Sequence, residues 1–301
     1  MFDLNIPWSP TTTTQELERM LSYATHLGYK TVALNHIVST PLPGQITNPL
    51  PVLPSTPPRN QSTAKLPSSS PPSPLPTILH RATILLADPS QNHRLPSLAP
   101  HYHLLALRPT TEKSFTAACL TIQDVPLISL DLSSRLPFPL RRKAISVAIS
   151  RGLKFEISYA QLFSSQRRSN FIANVMSLIR ATGGKGLVIS SGAARPVDLR
   201  ASRDIVNLLS VWGLGTERGV EGFGAVPRNV VVNEGVKRAG YRGVVEIVKA
   251  VPAPPAPAKE EVKGDNGETG GKNKKRKNGQ DVAGQGQGQR PGKKAKGQKA
   301  S

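Results

Sequence analysis

Short apolar runs of strand length alternate with longer, helix-like stretches along most of this chain. The strand-like runs are 2–6, 31–37, 83–87, 102–107, 127–132, 155–158, 186–190 and 244–248. Apolar residues recur at helical spacing in 13–27, 112–121, 140–151, 166–181, 202–212 and 229–239. This alternation predicts a mainly parallel sheet, because a chain can return to a parallel strand only through a crossover connection that is usually a helix.

The number of repeating strand-helix units favours a closed barrel over an open sheet. Seven or eight strand-helix units predict a TIM-like (β/α) barrel with seven or eight strands. A doubly wound open sheet is the alternative, but no Gly-x-Gly-x-x-Gly follows the first strand-like run, so its dinucleotide-binding form has no support. Residues 1–40 and 77–250 leave 214 for the barrel, which is close to the lower limit for this fold, so we expect one irregular or missing unit.

Two segments have compositions that do not suit a packed core. Residues 41–76 contain 12 prolines in 36 positions, together with serines such as Ser68-Ser69-Ser70, and we predict a disordered insertion there. Residues 251–301 are rich in lysine, glycine and glutamine, and we predict a disordered basic tail. The predicted domain organisation is therefore a barrel at 1–250, interrupted at 41–76, and a tail at 251–301.

The charge balance narrows the class of partner. The chain has 39 basic and 19 acidic side chains, and residues 1–250 alone have 27 and 14, so the barrel is basic without its tail. Such a surplus favours RNA, DNA or an anionic membrane surface as a partner. No stretch approaches the roughly 18 apolar residues of a membrane span, and no signal-peptide pattern is present, so we expect an intracellular protein. Cys119 is the only cysteine, which excludes an internal disulfide and a cysteine-rich zinc site.

Basic residues concentrate after the predicted strands, where barrel proteins place their functional groups. The candidate RNA-binding residues are Arg108, Arg141, Arg142, Arg167, Arg168, Lys185, Arg195, Arg200 and Arg203. Two predicted helices begin with paired arginines, although cations at a helix N-terminus oppose the helix dipole. A bound phosphate would reverse that cost, and solvated surface arginines are the alternative. Aromatic residues are few, so recognition of backbone and shape is more plausible than base stacking.

Other candidate groups are weaker. Lys274, Lys275, Arg276 and Lys277 form a basic run typical of nuclear-import or nucleic-acid-binding patches, and a merely solubilising tail is the alternative. His101 and His103 form a His-x-His pair that could bind a metal, although surface or packing histidines are commoner. Asp131 lies near the end of a strand-like run and is interpreted mainly as a carboxylate that orders its loop.

An ordered set of motifs resembles the TIM-barrel protein subunit of ribonuclease P, which is shared with ribonuclease MRP. The motifs are FDLNIP at 2–7, SLDL at 129–132, FEISY at 155–159, RRSNF at 167–171, TGGKG at 182–186, SSGA at 190–193 and RASRDIVNL at 200–208. The resemblance covers most of the predicted barrel, and it excludes the insertion and the tail.

The resemblance implies a protein subunit of a ribonucleoprotein. In this family the catalyst is an RNA that removes the 5′ leader of precursor tRNA, and the MRP particle processes precursor ribosomal RNA. The implied partners are the ribonuclease P and MRP RNAs, precursor tRNA indirectly, and a small α/β protein subunit of the same complex. The implied location is the nucleus, including the nucleolus. No cofactor is implied.

The barrel also resembles the polymerase-and-histidinol-phosphatase superfamily of metal hydrolases. Members begin with Asp-Leu-His-x-His, where this chain has Asp3-Leu4-Asn5-Ile6-Pro7, and of a later Asp-His-Asp only His36 is kept. A hydrolytic metal site needs several convergent ligands and an open position. We therefore expect a non-catalytic protein. A metal-dependent phosphoesterase that uses His36, His101 and His103 is the alternative hypothesis.

Overall fold

The computed structural model describes residues 1–42, 44–51, 53, 75–241 and 245–246. Its strands are β1 (Phe2–Pro7), β2 (Thr31–Ser39), β3 (Thr77–Leu86), β4 (Leu104–Pro109), β5 (Leu127–Ser129), β6 (Lys154–Ser158) and β7 (Leu187–Ser190). Its α-helices are α1 (Thr14–His26), α2 (Glu112–Leu120), α3 (Arg142–Ser150), α4 (Arg168–Thr182), α5 (Ser202–Val211), α6 (Thr216–Phe223) and α7 (Ala225–Ala239).

The seven strands form one parallel sheet in chain order, from β1 to β7. The ends of the sheet meet, because the Gly192 N–H, just after β7, donates to the Asn5 carbonyl of β1 at 2.8 Å. This nearly closed barrel with flanking helices confirms the predicted TIM-like fold. The run predicted as a last strand does not join the barrel. Val245–Glu246 (β9) pairs antiparallel with Gly240–Tyr241 (β8) in a separate two-stranded sheet.

Helix α1 shows how local sequence signals produce these elements. Thr13 caps the helix by accepting from the Glu16 N–H, and the Glu16 carboxylate accepts from the Thr13 N–H, which confirms the predicted capping box. The apolar face of α1 is then buried against the sheet through Leu17, Met20, Leu21 and Ala24. Most of the buried core has this form, with one face of each outer helix packed on the strands.

A smaller apolar cluster lies inside the barrel, at the N-terminal ends of the strands. It consists of Leu4, Ala33, Leu104, Ala106, Leu127, Val188 and Val230. Six of these residues belong to strands, and Val230 comes from α7. Helix α7 therefore closes the N-terminal end of the barrel, and we call this end the lower end.

Part of the predicted disordered insertion is packed on the barrel. Leu42 and Leu50 are buried in the main core, and Asn48 donates to the His101 carbonyl at 3.0 Å. The start of the 41–76 segment is therefore ordered, because its leucines find apolar surface to bury. Residues 54–74 and the predicted tail, 251–301, lie outside the described residues.

Two further elements differ from the sequence prediction. Strand β3 begins at Thr77, six residues before the predicted start, and pairs with β2 over nine positions. Helix α6 was not predicted at all. Among the described residues, no helix combines the length and the apolar character needed to cross a bilayer.

Candidate functional site

The centre of the barrel contains a buried ion pair. Arg81 of β3 and Glu156 of β6 form two hydrogen bonds, Nη1 to Oε1 at 2.5 Å and Nη2 to Oε2 at 2.6 Å, and both side chains are 0% exposed. Arg81 Nη1 also donates to the Leu4 carbonyl at 2.6 Å, and the Ser190 hydroxyl donates to Glu156 Oε1 at 2.5 Å. Burial alone would raise the pKa of Glu156, but Arg81 and these hydrogen bonds hold it below its ordinary value.

Amides and hydroxyls extend this pair into a continuous polar layer. Asn35 donates to Asn5 at 2.7 Å, and Thr83 donates to Asn35 at 2.7 Å. Asn5 donates in turn to the Ser158 hydroxyl at 3.0 Å, and Arg81 Nε donates to Thr83 at 3.2 Å. The polar groups of the layer therefore satisfy one another, as buried polar groups must if they are not to cost free energy.

Arg108 lies above this layer, at the C-terminal mouth of the barrel. It is two residues beyond Ala106 of the interior cluster, so its side chain also points inward. It is half-buried and lies 3.4 Å from the Ser129 carbonyl. Burial lowers the pKa of Arg108, and the charges of Glu156 and Asp131 oppose that effect. Arg108 is thus the innermost of the predicted RNA-binding residues.

Asp131 follows β5 and orders the loop at this mouth, as predicted. Its carboxylate accepts from the Ser133 N–H at 3.1 Å, the Ser133 hydroxyl at 2.6 Å and the Ser134 hydroxyl at 3.3 Å. Burial would raise the pKa of Asp131, but the hydrogen bonds from Ser133, and Arg108 nearby, lower it overall.

The histidines of the metal hypothesis do not converge. His36 Nδ1 is bound to the Tyr102 hydroxyl at 2.9 Å, and His103 Nδ1 accepts from the His80 N–H at 2.9 Å. His101 is exposed. Over the part of the chain that the structure describes, no three or more His, Cys, Asp or Glu side chains are grouped as metal ligands. Within those described residues, the three histidines of the phosphoesterase hypothesis therefore do not form a shared metal site.

Five predicted RNA-binding residues follow three adjacent strands. Arg108 is the second-last residue of β4. Arg141 and Arg142 are the N-cap and the first residue of α3, which follows β5, and Arg167 and Arg168 are the N-cap and the first residue of α4, which follows β6. Neither helix has an acidic residue in its first turn or a side-chain cap. Arg141 is paired with Glu112 at 2.9 Å, but the two side chains are 70% and 50% exposed, so the pairing is weak. These five residues form what we call the arginine rim.

The other four predicted residues lie elsewhere or are used within the fold. Arg195 is paired with Asp198 at 3.1 Å. Arg200 donates to two carbonyls of its own loop, those of Val197 and Leu199, and lies over the Phe163 ring at 4.8 Å.

Arg203 and Lys185 have different surroundings from the rim residues. Arg203 borders a cavity of about 390 Å³ together with Met1, which precedes β1. Lys185 precedes β7 and therefore lies at the lower end of the barrel, opposite the rim. The nine predicted residues thus do not form one surface. The predicted import patch, Lys274, Lys275, Arg276 and Lys277, lies outside the described residues.

Comparison with known protein families shows which family this barrel belongs to. The model of the family described as RNase P subunit p30 matches residues 1–239. The chain belongs to the RNase P subunit p30 family. The match includes the whole barrel and α7, and it ends before the predicted tail at 251–301.

Two relatives of this p30-family chain cover most of its length. The mouse protein named ribonuclease P protein subunit p30 is 32% identical over 238 residues, which are 77% of this chain and 85% of the relative. The Saccharomyces cerevisiae protein named ribonuclease P/MRP protein subunit RPP1 is 28% identical over 258 residues, which are 81% and 84% of the two chains. A chain in the cryo-EM structure of archaeal ribonuclease P with mature tRNA shares the fold, with a TM-score of 0.58 and 11% identity. The alignment covers 83% of this chain and 99% of that one.

Sequence reasoning missed the central residues of this p30-family barrel. Neither Arg81 nor Glu156 was a candidate, although the pair fills the centre of the barrel. The available signal was a charged residue within each of two otherwise apolar strands, since a charge that is buried must be paired.

Proposed function

We propose that this chain is a non-catalytic, RNA-binding protein subunit of ribonuclease P and ribonuclease MRP. In that role it would support removal of the 5′ leader from precursor tRNA and processing of precursor ribosomal RNA. Membership of the p30 family supports the ribonuclease P role. The yeast relative, whose name includes both particles, supports the MRP role.

One observation carries the non-catalytic part of the proposal, namely the Arg81–Glu156 pair in the barrel centre. A catalytic centre needs groups that are free to meet a substrate or a metal. Here the guanidinium and the carboxylate are engaged with each other and with neighbouring hydroxyl and carbonyl groups. The barrel centre therefore serves stability, and function is left to the rim and the outer surface.

The arginine rim supports the RNA-binding part. Arg142, Arg167 and Arg168 are exposed, and within the described part of the chain no ion pair joins them to an acidic residue. Each helix that they begin directs free N–H groups to the same side as its arginines, which is a suitable arrangement for a phosphate oxygen. We propose that the rim contacts the sugar-phosphate backbone of the particle's RNA, with little reading of bases.

The proposed partners are the ribonuclease P and MRP RNAs, precursor tRNA through them, and a small α/β protein subunit of the same complex. The proposed location is the nucleus, including the nucleolus. The lysine-rich run at 274–277 would act as its import signal.

Affinity purification of the tagged full-length chain, with sequencing of the co-purified RNA, tests the proposal. We expect enrichment of one or two structured non-coding RNAs and cleavage of precursor tRNA by the eluate. The control is a variant with both Arg19 and Lys30 reversed to Glu, which lowers the net charge away from the rim and should still recover the RNA. Absence of RNA at low salt would overturn the proposal, and stoichiometric bound metal in the same sample would favour the phosphoesterase alternative.

A further inference from the structure

A groove on the outside of the barrel combines positive charge with an apolar floor. It lies between the loop that precedes α3 and the outer face of α4, and its volume is about 520 Å³. Arg135 of the loop, Arg142 of α3 and Arg180 of α4 all line it. Only Arg142 also belongs to the arginine rim, so the groove, which we call the α3–α4 groove, is a different surface.

The floor of the groove is apolar. Leu136, Phe138 and Leu140 line it, and Phe138 is buried. The Phe138 ring is stacked on Phe115 of α2, with 4.6 Å between ring centroids and 17° between planes. This stacking fixes the floor to the core, so the apolar surface is a stable part of the fold.

The wall of the groove is also held in place. The Asn174 side chain of α4 donates to the Leu132 carbonyl at 2.9 Å and to the Ser134 carbonyl at 2.8 Å. The loop that carries Arg135 is thereby tied to the helix that carries Arg180. A groove formed in advance costs a ligand less ordering entropy than one that must be built on binding.

Within the described part of the chain, no acidic side chain neutralises the positive charge of the groove. No acidic residue lines it, and none of its three arginines takes part in an ion pair there. Among the described residues, Arg180 donates only to the Ser177 hydroxyl, at 3.3 Å. Three cations around an apolar floor are complementary to a ligand that has both anionic groups and apolar side chains.

We propose that the α3–α4 groove binds an acidic peptide segment of a partner protein, with an apolar side chain seated on Leu136, Phe138 and Leu140. An RNA backbone would satisfy the arginines but would cover the apolar floor with sugar and phosphate, which gains little from burial. A peptide satisfies both parts, because apolar anchors surrounded by charged contacts are typical of protein interfaces. This proposal concerns a protein partner and does not depend on RNA binding by the rim.

The probe is a fluorescein-labelled synthetic peptide, Asp-Glu-Asp-Leu-Phe-Asp-Glu, titrated with the purified full-length chain and followed by anisotropy. A second peptide has alanine in place of leucine and phenylalanine. The groove variant reverses three charges, Arg135→Glu, Arg142→Glu and Arg180→Glu. The control variant reverses three exposed charges elsewhere, Arg19→Glu, Lys30→Glu and Arg228→Glu.

We expect the groove variant to bind the peptide about tenfold more weakly than the control variant does. The alanine peptide should also bind more weakly to the unmodified chain. Equal losses in the two variants would show attraction to net charge alone and would overturn the proposal. Equal binding of the two peptides would remove the role of the floor and overturn it too.

Two further measurements test whether the groove binds RNA or a segment of this chain instead of a partner protein. If a single-stranded RNA of equal charge displaces the peptide and loses as much affinity in the groove variant, the groove is an RNA surface and the proposal fails. The chain's own Glu260-Glu261-Val262 is an acidic and apolar sequence. If Glu260→Lys with Glu261→Lys increases affinity for the peptide, that segment occupies the groove and the proposal fails. If the affinity of this double variant for the peptide is unchanged, the result supports a partner protein as the ligand of the groove.

Discussion

Arg81 and Glu156 meet in the middle of the barrel, joined by hydrogen bonds of 2.5 and 2.6 Å between strands that do not pair with each other. They are 75 residues apart in the chain, and both are completely buried. Each charge is acceptable in that position only because the other is present. The pair thus connects β3 to β6 through the interior, in addition to the hydrogen bonds around the barrel wall.

Removing one member of this pair should be costly. We expect Glu156→Gln to lower the free energy of unfolding by about 3–5 kcal/mol, because Arg81 is left buried without a counter-charge. Urea denaturation followed by circular dichroism measures the change. The double variant Arg81→Met with Glu156→Leu should lose less than Glu156→Gln alone, since no charge is then buried. If the double variant lost as much stability as Arg81→Met alone plus Glu156→Leu alone, the two residues would not be coupled.

Asp3 should make stability depend on pH. Burial raises the pKa of Asp3 to about 6, even though its Oδ1 accepts from the N–H groups of Ser191 and Asn5. The unfolded chain has a value of about 3.9, so the folded protein binds the extra proton between about pH 4 and pH 6. Stability is therefore lost as the pH rises through that window, by up to about 3 kcal/mol.

The variant Asp3→Asn tests this dependence, because its amide oxygen can keep both backbone hydrogen bonds and it does not titrate. We expect its free energy of unfolding, relative to the unmodified chain, to increase by up to about 3 kcal/mol between about pH 4 and pH 7. Urea denaturation at several pH values measures it. A difference that stays constant across this range would show that Asp3 does not titrate there.

Gly192 is required where the barrel closes. Its φ is +61°, and a Cβ there would lie 2.9 Å from the Ser158 Cβ. We expect Gly192→Ala to lower the free energy of unfolding by about 2–4 kcal/mol, through backbone strain and a forced shift of β6. Gly28→Ala is the matched control, because Gly28 also has a positive φ, +89°, but has nothing within 4 Å of the added Cβ. Its loss should be only about 1 kcal/mol. Equal losses would remove the role of the contact with Ser158.

The arginine rim should control the affinity for RNA. We expect reversal to Glu at Arg141, Arg142, Arg167 and Arg168 to weaken binding of the co-purified RNA. The slope of log affinity against log salt should become shallower by about one for each phosphate that the variant no longer neutralises. Filter binding at several salt concentrations measures both. Lys185→Glu is the control from the lower end of the barrel and should have little effect. Unchanged affinity in the rim variant would show that the RNA binds elsewhere.

The architecture was predictable because it follows from local patterns. Each strand of the barrel is buried on both faces, so it appears as an apolar run, and the helices between them show their apolar face at helical spacing. Thr13 and Glu16 indicated the start of α1 in the same way. The arginine rim followed from the rule that places functional loops after the strands.

The residues that sequence reasoning missed depend on contacts between distant parts of the chain. Arg81 interrupts the apolar run of β3, so the strand was predicted to start after it, and its partner is on another strand. Helix α6 has glycines at 219 and 222, which normally weaken a helix. A Cβ at Gly222 would lie 2.9 Å from Ile189 of β7, and one at Gly219 would lie 3.0 Å from Val206 of α5. These glycines are there because the helix packs so closely on its neighbours.

Helix α7 closes the lower end of the barrel, yet it comes after all seven strands in the chain. During synthesis the strands therefore leave the ribosome before the segment that covers their apolar lower interior. Until that segment emerges, Leu4, Leu104 and Leu127 face an open end that chaperones can reach. The barrel can be completed only after α7 has left the ribosome, so all seven strands must wait for a segment that is synthesised after them.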